Sequence, residues 1–426
     1  MSQTFIKDDF IKEKWVQICD EELLDEAPTM EYGHMVAFLS LDMTMQEKDA
    51  YIEQEMKDQQ TKNEEKYKVV VKISPQGEVD QPRGVDVRGI LISSQITKAV
   101  CSLCAAFDSL KVLRLINCNL KAESIFLLSS LLGDTKVSYL YLDKNPIADQ
   151  NYHIILKSNF VLQHLSLRMC RIDKKGAMNL ASVLMYSNPE HQRLLSLNLN
   201  GNLIDCTGIE ELARALRWNR KLLYLSLAGN RIADKGAKAL AEILLPFQLT
   251  YEELVFRAQR ISDRLKLVRK TMMEQSQTTA FKKKKSSFGI DNLNETVMSQ
   301  KRTEVTESIS YFIQLIRIAD DTTPLDEHPL MAEVEEYDDE YWNKGNDILS
   351  SLNLSYNQIT SEGLTYFFEV AKYQDRFFTS KNGLTRFLYD GNPVADTDGY
   401  LLKGLKSYFS GQKHTSGTKP RRHSRY

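Results

Sequence analysis

The feature that most constrains this chain is a short unit that changes its apolar period partway along. In "LLYLSLAGNRIADKGAKALAEIL" (222–244), Leu225 and Leu227 stand two residues apart. After Gly236, the apolar residues Ala237, Leu240, Ala241 and Leu244 fall three and four apart. Alternation at two marks a strand with one buried face, and spacing at three and four marks a helix. The stretch therefore predicts strand, turn and helix, with the bend at Asn230. A unit this short cannot bury both apolar faces by itself, so it requires copies stacked beside it.

The copies are present. "LQHLSLRMCRIDKKGAMNLASVL" (162–184), "LLSLNLNGNLIDCTGIEELARAL" (194–216) and "LSSLNLSYNQITSEGLTYFFEVA" (349–371) share the pattern Leu-x-Leu-x-x-(Asn or Cys)-x-Ile. Gly176, Gly208, Gly236 and Gly363 each follow that isoleucine by four residues. Fainter copies are "VDVRGILI" (85–92), "LRLINCNL" (113–120), "LYLDKNPI" (140–147) and "FLYDGNPV" (387–394). The turn positions are then Ile90, Cys118, Asn145, Cys170, Asn202, Asn230, Asn357 and Asn392. The first six are 28, 27, 25, 32 and 28 residues apart. This is the period of leucine-rich repeats that carry a helix in each repeat. The expected fold is an α/β solenoid, a horseshoe of about eight repeats with a parallel concave sheet and outer helices, interrupted by one long insertion.

The turn asparagines are expected to satisfy adjacent coils, because their side chains both donate and accept where the ladder stops. Cys118 and Cys170 fit the same slot as small, weakly hydrogen-bonding residues. The repeated glycine permits close approach at the helix start, and Asp205, Asp234 and Thr360 are candidate N-caps.

The remaining segments divide the chain further. Residues 1–66 read as an amphipathic helical cap anchored by Trp15, Val16, Ile18 and Phe38, ahead of a first repeat block over 67–245. Residues 246–345 read as a helical extension and a partly disordered charged insertion, including Lys282 to Lys285. The acidic aromatic stretch "AEVEEYDDEYWNKG" within it can dock on a basic surface or fold back over the repeat sheet. A second repeat block with its cap spans 346–410, and a disordered basic tail spans 411–426.

Bulk properties narrow the function classes. Hydrophobic residues make up 42% of the 426 and charged residues 26%, enough for a sizeable core. A net charge of −2 disfavours nucleic acid and acidic membranes as partners. No apolar run approaches the roughly 20 residues of a membrane span, and the charged start "MSQTFIKDDFIKEKW" is unlike a secretory signal. Six scattered cysteines suit a reduced, cytoplasmic compartment. Cys101 and Cys104 sit at helical spacing with Val100 and Phe107, which favours core packing over metal binding. The seven histidines lack ligand spacing, and neither a phosphate-cradling loop nor a nucleophile elbow is present. The expectation is no enzyme, no cofactor and no metal.

Side chains between the buried leucines must point to the open side of the sheet. One column holds Arg114, Tyr141, Ser166, Asn198, Ser226 and Asn353, and the next holds Ile116, Asp143, Arg168, Asn200, Ala228 and Ser355. Arg114, Tyr141, Asp143, Arg168, Asn198 and Asn200 are the candidate partner-binding residues, and arginine and tyrosine are types enriched at binding hot spots. The implied ligand is another protein, docked on a preformed surface. A second expectation, from architecture alone, is a regulator of a small GTPase that uses an exposed Arg88 or Arg114.

The order of motifs carries a resemblance. "VDVRG", "LSLRMCRIDKKGA", "LLSLNLNGNLID", "LLYLSLAGNRIADKGAKALAE", then "FQLT" leading into a charged insertion, then "LSSLNLSYNQITSEGL" resembles the leucine-rich repeat-containing protein 71 family over about residues 67–400. That resemblance implies ribonuclease-inhibitor-like repeats in a non-enzymatic protein of the cilium or flagellar axoneme. It also implies axonemal protein partners and no small-molecule substrate.

Overall fold

The computed structural model describes residues 14, 17–18, 29–34, 68–76, 79–157, 161–186, 193–285, 328–377, 382–395 and 398–409. The chain forms two compact units, one of residues 1–245 with 345–426 and the other of residues 246–344.

The first unit holds a ten-stranded sheet. Its strands are β1 (Thr29–His34), β2 (Lys68–Gln76), β3 (Val79–Arg88), β4 (Val112–Ile116), β5 (Tyr139–Tyr141), β6 (His164–Ser166), β7 (Ser196–Asn198), β8 (Tyr224–Ser226), β12 (Ser351–Asn353) and β13 (Arg386–Leu388). From β3 onward every pairing is parallel and follows chain order. The register places Leu140, Leu165, Leu197, Leu225, Leu352 and Phe387 in one buried row. A two-residue period fixes which face each leucine takes, and stacking aligns the leucines of successive coils. Leu225 pairs with Leu352 directly, so the sheet runs on across the insertion without a gap.

The opposite side of the sheet is covered by helices α1 (Ser94–Ala106), α2 (Ala122–Leu131), α3 (His153–Lys157), α4 (Lys174–Tyr186), α5 (Cys206–Trp218), α6 (Asp234–Glu242), α9 (Ser361–Phe377) and α10 (Gly399–Phe409). In α5 the predicted pattern is met residue by residue, with Ile209, Leu212, Ala213 and Leu216 all buried. Asp205 caps this helix by accepting from the Gly208 amide at 2.9 Å. A Cβ on Gly208 would stand 3.0 Å from the Ala177 Cβ and 2.9 Å from Ile204 Cγ2, so glycine is required there by the approach of α4. Helix α3 is a single turn, because the 25 residues between Asn145 and Cys170 leave too little chain for more.

Two expectations change. Asp234 is the first residue of α6 and does not cap it. Its carboxylate accepts from the Thr360 amide at 2.7 Å, the Thr360 hydroxyl at 2.7 Å and the Gly363 amide at 3.1 Å. The helix begins one residue earlier than the spacing implies, which frees Asp234 to cap α9 of the neighbouring coil. The second change is at the N-terminal end. Within the segment expected to be helical, residues 29–34 form strand β1, parallel to β2, and β2 and β3 pair antiparallel. Residues 14 and 17–18 are helical, and Ile18 is 3% exposed within the repeat core.

The second unit comprises β9 (Phe247–Gln248), α7 (Tyr251–Lys285), α8 (Pro329–Ala332), β10 (Val334–Tyr337) and β11 (Glu340–Asn343). Its three strands form an antiparallel sheet in the order β10-β11-β9. The acidic aromatic stretch is thus a hairpin, with Tyr337 paired to Glu340 across a two-residue turn. Both turn residues, Asp338 and Asp339, have positive φ, as such a turn demands. Lys282 to Lys285 close α7. The polar run 276–303, which reads as disordered, is instead helical as far as Lys285, because the helix begun at Tyr251 continues into it. The rest of that run, the tail at 411–426 and the anchors Trp15, Val16 and Phe38 lie outside the described residues.

Candidate functional site

The turn column is the best-determined constellation in the molecule. Asn145 Oδ1 accepts from the amides of Cys118 and Leu120 at 2.8 and 3.3 Å, while its Nδ2 donates to Leu115 and Leu142 carbonyls at 2.7 and 2.9 Å. Asn202 repeats this toward Cys170, Ile172, Leu167 and Leu199. Asn230, Asn357 and Asn392 continue it, each accepting from the coil before and donating to carbonyls of both coils. One side chain thus closes two adjacent bends, as the expectation required.

Cysteine fills the slot differently. Burial pushes the thiols of Cys118 and Cys170 up to about 12, so both stay protonated and act as donors. Cys118 donates to the Val87 carbonyl and Cys170 to the Leu142 carbonyl, each at 3.3 Å. A thiol is a poor acceptor, which leaves the Ile147 amide of the coil before Cys170 in need of another partner. Tyr152 supplies it. Its buried hydroxyl accepts from the Ile147 amide at 2.9 Å and donates to the Asn145 carbonyl. The sequence carries only half of this signal: Cys170 announces a missing acceptor without saying which residue provides it. Tyr152→Phe is expected to leave both backbone groups unsatisfied and lower unfolding free energy by about 2 kcal/mol, read as a reduced urea midpoint.

The helix-free face was expected to bind through Arg114, Tyr141, Asp143, Arg168, Asn198 and Asn200. The register brings Asp86, Arg114, Tyr141, Ser166, Asn198, Ser226 and Asn353 into one row across the strands. Arg114 is only 4% exposed. Its guanidinium lies 3.7 Å from Asp86 and 4.9 Å from the Tyr141 ring centroid. Arg88 grips the same carboxylate at 2.8 and 2.9 Å, so both arginines considered for GTPase regulation are engaged within the protein. Asp143, 9% exposed, accepts from the Ser166 hydroxyl at 2.6 Å and the Arg168 amide at 3.0 Å. Asn200 does the same with Ser226 and Ala228 at 2.7 and 2.9 Å, and Asn198 accepts from the Asn200 amide at 3.1 Å. Arg114 and Asp143 therefore fasten strand to strand instead of standing free, which corrects their placement among accessible contacts. Tyr141, Asn198 and Asn200 are half-buried, and Arg168 is exposed.

Two further features mark this face. Tyr139 and His164 stack with ring centroids 4.1 Å apart and planes 6° from parallel. Burial holds the His164 imidazole down at about 4, so it is neutral at physiological pH. Cys101 and Cys104 are free thiols in the core of α1, as expected, and burial raises Cys104. Among the described residues, no group of histidine, cysteine, aspartate or glutamate is arranged to hold a metal ion. No described helix is long and apolar enough to cross a membrane.

The stacked coils, the in-register leucine row and the asparagine column define a leucine-rich repeat protein. In agreement, the family described as Leucine Rich repeat matches residues 158–181, 219–241 and 346–368. Among curated proteins, the chain is similar to mouse (Mus musculus) NACHT, LRR and PYD domains-containing protein 14, 28% identical over 191 residues, or 36% of this chain and 19% of that protein. It is also similar to NACHT, LRR and PYD domains-containing protein 4C of the same organism, 29% identical over 136 residues, or 30% of this chain and 13% of that protein. The chain spans a fifth or less of the length of these relatives. Among solved structures, an internalin from Listeria monocytogenes covers 76% of this chain and 84% of its own, at 13% identity and a TM-score of 0.18.

Proposed function

We propose that this chain is a non-enzymatic protein–protein interaction scaffold that seats its partner on the helix-free face of the repeat sheet. The observation that carries this reading is the cross-strand bonding of that face. Asp143 with Ser166 and Arg168, and Asn200 with Ser226 and Ala228, hold the inward side chains in place before any partner arrives. A surface ordered in advance loses little entropy on docking. The test places a photo-crosslinking amino acid at Tyr224 or Asn353 on the open face, and at Lys98 on the outer side of α1. Partner adducts are expected from the first two positions and not from the third. Equal adducts from Lys98, or none from the face, would overturn the scaffold reading.

Cytoplasmic residence is proposed on the scattered cysteines, and placement at the cilium or flagellar axoneme, with an axonemal partner, on the family resemblance alone. A tagged chain expressed in ciliated cells is expected to run along the axoneme, and a diffuse signal would remove this part.

A further inference from the structure

The acidic hairpin of the second unit has two unlike faces. Paired residues of an antiparallel ladder point to the same side. Val334 with Asn343 and Glu336 with Tyr341 therefore share one face, and Glu335 with Trp342 and Tyr337 with Glu340 share the other. The first face is seated within the unit. Asn343 is buried and donates to the Pro329 carbonyl at 3.0 Å, Val334 and Tyr341 are half-buried, and the Arg257 guanidinium lies 5.8 Å from the Tyr341 ring centroid. All four residues of the second face are exposed, Tyr337 at 74% and Trp342 at 36%.

That open face alternates rings and carboxylates. Tyr337 stands across from Glu340 and two residues along its strand from Glu335, while Trp342 stands across from Glu335 and two along from Glu340. The Trp342 indole N–H donates to the Glu340 carboxylate at 3.2 Å, which holds that carboxylate beside the edge of the ring. Glu336, Asp338 and Asp339 bring the hairpin to five carboxylates, with no lysine or arginine between Val334 and Asn343. The cation at its base, Lys344, is paired with Glu333 at 3.4 Å. Among the described residues, the side chains of Glu335, Glu336, Tyr337, Asp338 and Asp339 have no ion pair, hydrogen bond or ring contact.

Charge and ring chemistry together select the occupant. The carboxylates repel nucleic acid and anionic membranes, and among the described residues no group is arranged to hold a metal ion. A guanidinium suits both components of the face, since it stacks on an aromatic ring and pairs edge-on with a carboxylate. The seated face already meets an arginine in this way at Tyr341. We propose that the open face of the hairpin docks an extended, arginine-bearing segment of a partner protein, with guanidinium groups over Tyr337 and Trp342 and against Glu335 and Glu340. Alternate residues of an extended chain fall about 7 Å apart on one side, the same spacing as Glu335 to Tyr337, so the segment carries arginine at every second position. The inference goes beyond the scaffold reading and stands whether or not the repeat sheet binds a partner.

The test uses the full chain and three fluorescein-labelled nonapeptides, of arginine, lysine or glutamate alternating with serine, followed by anisotropy. The arginine peptide is expected to bind about fivefold more tightly than the lysine peptide, and the glutamate peptide not to bind at about 1 mM. Tyr337→Thr with Trp342→Thr, which keeps strand-forming residues in place, is expected to erase the preference for arginine. Glu335→Gln with Glu340→Gln is expected to weaken the arginine peptide about tenfold, while Glu123→Gln at the start of α2 leaves it unchanged. Thermal melts check that each variant folds, and if the threonine pair does not, the glutamine pair, which preserves shape, decides. Equal binding of the arginine and lysine peptides, or a preference that survives the loss of both rings, would reduce the face to a diffuse acidic patch and overturn the proposal. Failure of the arginine peptide to bind at about 1 mM would overturn it as well. None of these outcomes alters the crosslinking result on the repeat sheet, so the two readings fail separately.

Discussion

Asn357→Ala is expected to lower the unfolding free energy by about 4 kcal/mol, the largest loss anticipated for a polar side chain here. Asn357 Oδ1 accepts from the amides of Asn230 and Ile232 at 3.1 and 3.2 Å, across 127 and 125 residues of chain. Its Nδ2 donates to Leu227, Leu354 and Ser355 carbonyls at 3.0, 2.9 and 3.2 Å. Alanine leaves the two amides buried and unpaired and strips the carbonyls of a shared donor. Each stranded buried group costs about 1–3 kcal/mol. Because this side chain joins the coils on either side of the insertion, the effect should be directional. Hydrogen exchange at the Asn230 and Ile232 amides should rise toward the global rate, while the Cys118 amide stays protected. A loss under about 1 kcal/mol, or uniform deprotection, would mean that the column is ornamental to stability.

The second large effect is a pH dependence. His164 titrates near 4 in the folded protein, below the usual 6.5, because burial disfavours the imidazolium. The unfolded chain therefore binds a proton that the folded chain refuses between about pH 6.5 and pH 4, and stability must fall as pH falls through that window. Holding the imidazole at about 4 against the usual 6.5 corresponds to about 3 kcal/mol, fully lost below pH 4. His164→Phe preserves an aromatic stack on Tyr139 and removes the proton linkage. Urea midpoints taken from pH 7 to pH 4 should drop less steeply in the variant than in the parent. Parallel curves would show that His164 does not carry the dependence.

Much of the architecture was legible because a coil is locally encoded. Leu225 and Leu227 two apart, with Ala237, Leu240 and Ala241 at helical spacing, specify in and out without reference to any other coil. The asparagine column was legible for a related reason: a bend that ends a ladder needs a side chain that both donates and accepts. Other features were misread where the partner comes from a different coil. Arg114 shares the open-face row with Tyr141, yet its accessibility depends on Asp86, which the register alone brings beside it. Asp143 was turned inward into strand fastening by Ser166. Arg168, at the equivalent position one coil on, stayed exposed.

The two levels divide cleanly in this protein. Periodicity by itself determined the class of fold, the inner and outer faces of each coil and the places where the chain bends, since those follow from side-chain direction along a strand or helix. Tertiary structure alone decided that β8 pairs with β12 across the insertion, that Asp234 caps a helix in the next coil and that Tyr152 stands in for a missing asparagine. It also decided that Arg114 and Asp143 are buried on the open face while Arg168 stays exposed. Each of these depends on a neighbour far away in sequence, and a local pattern cannot say which distant residue will meet an unpaired donor or charge.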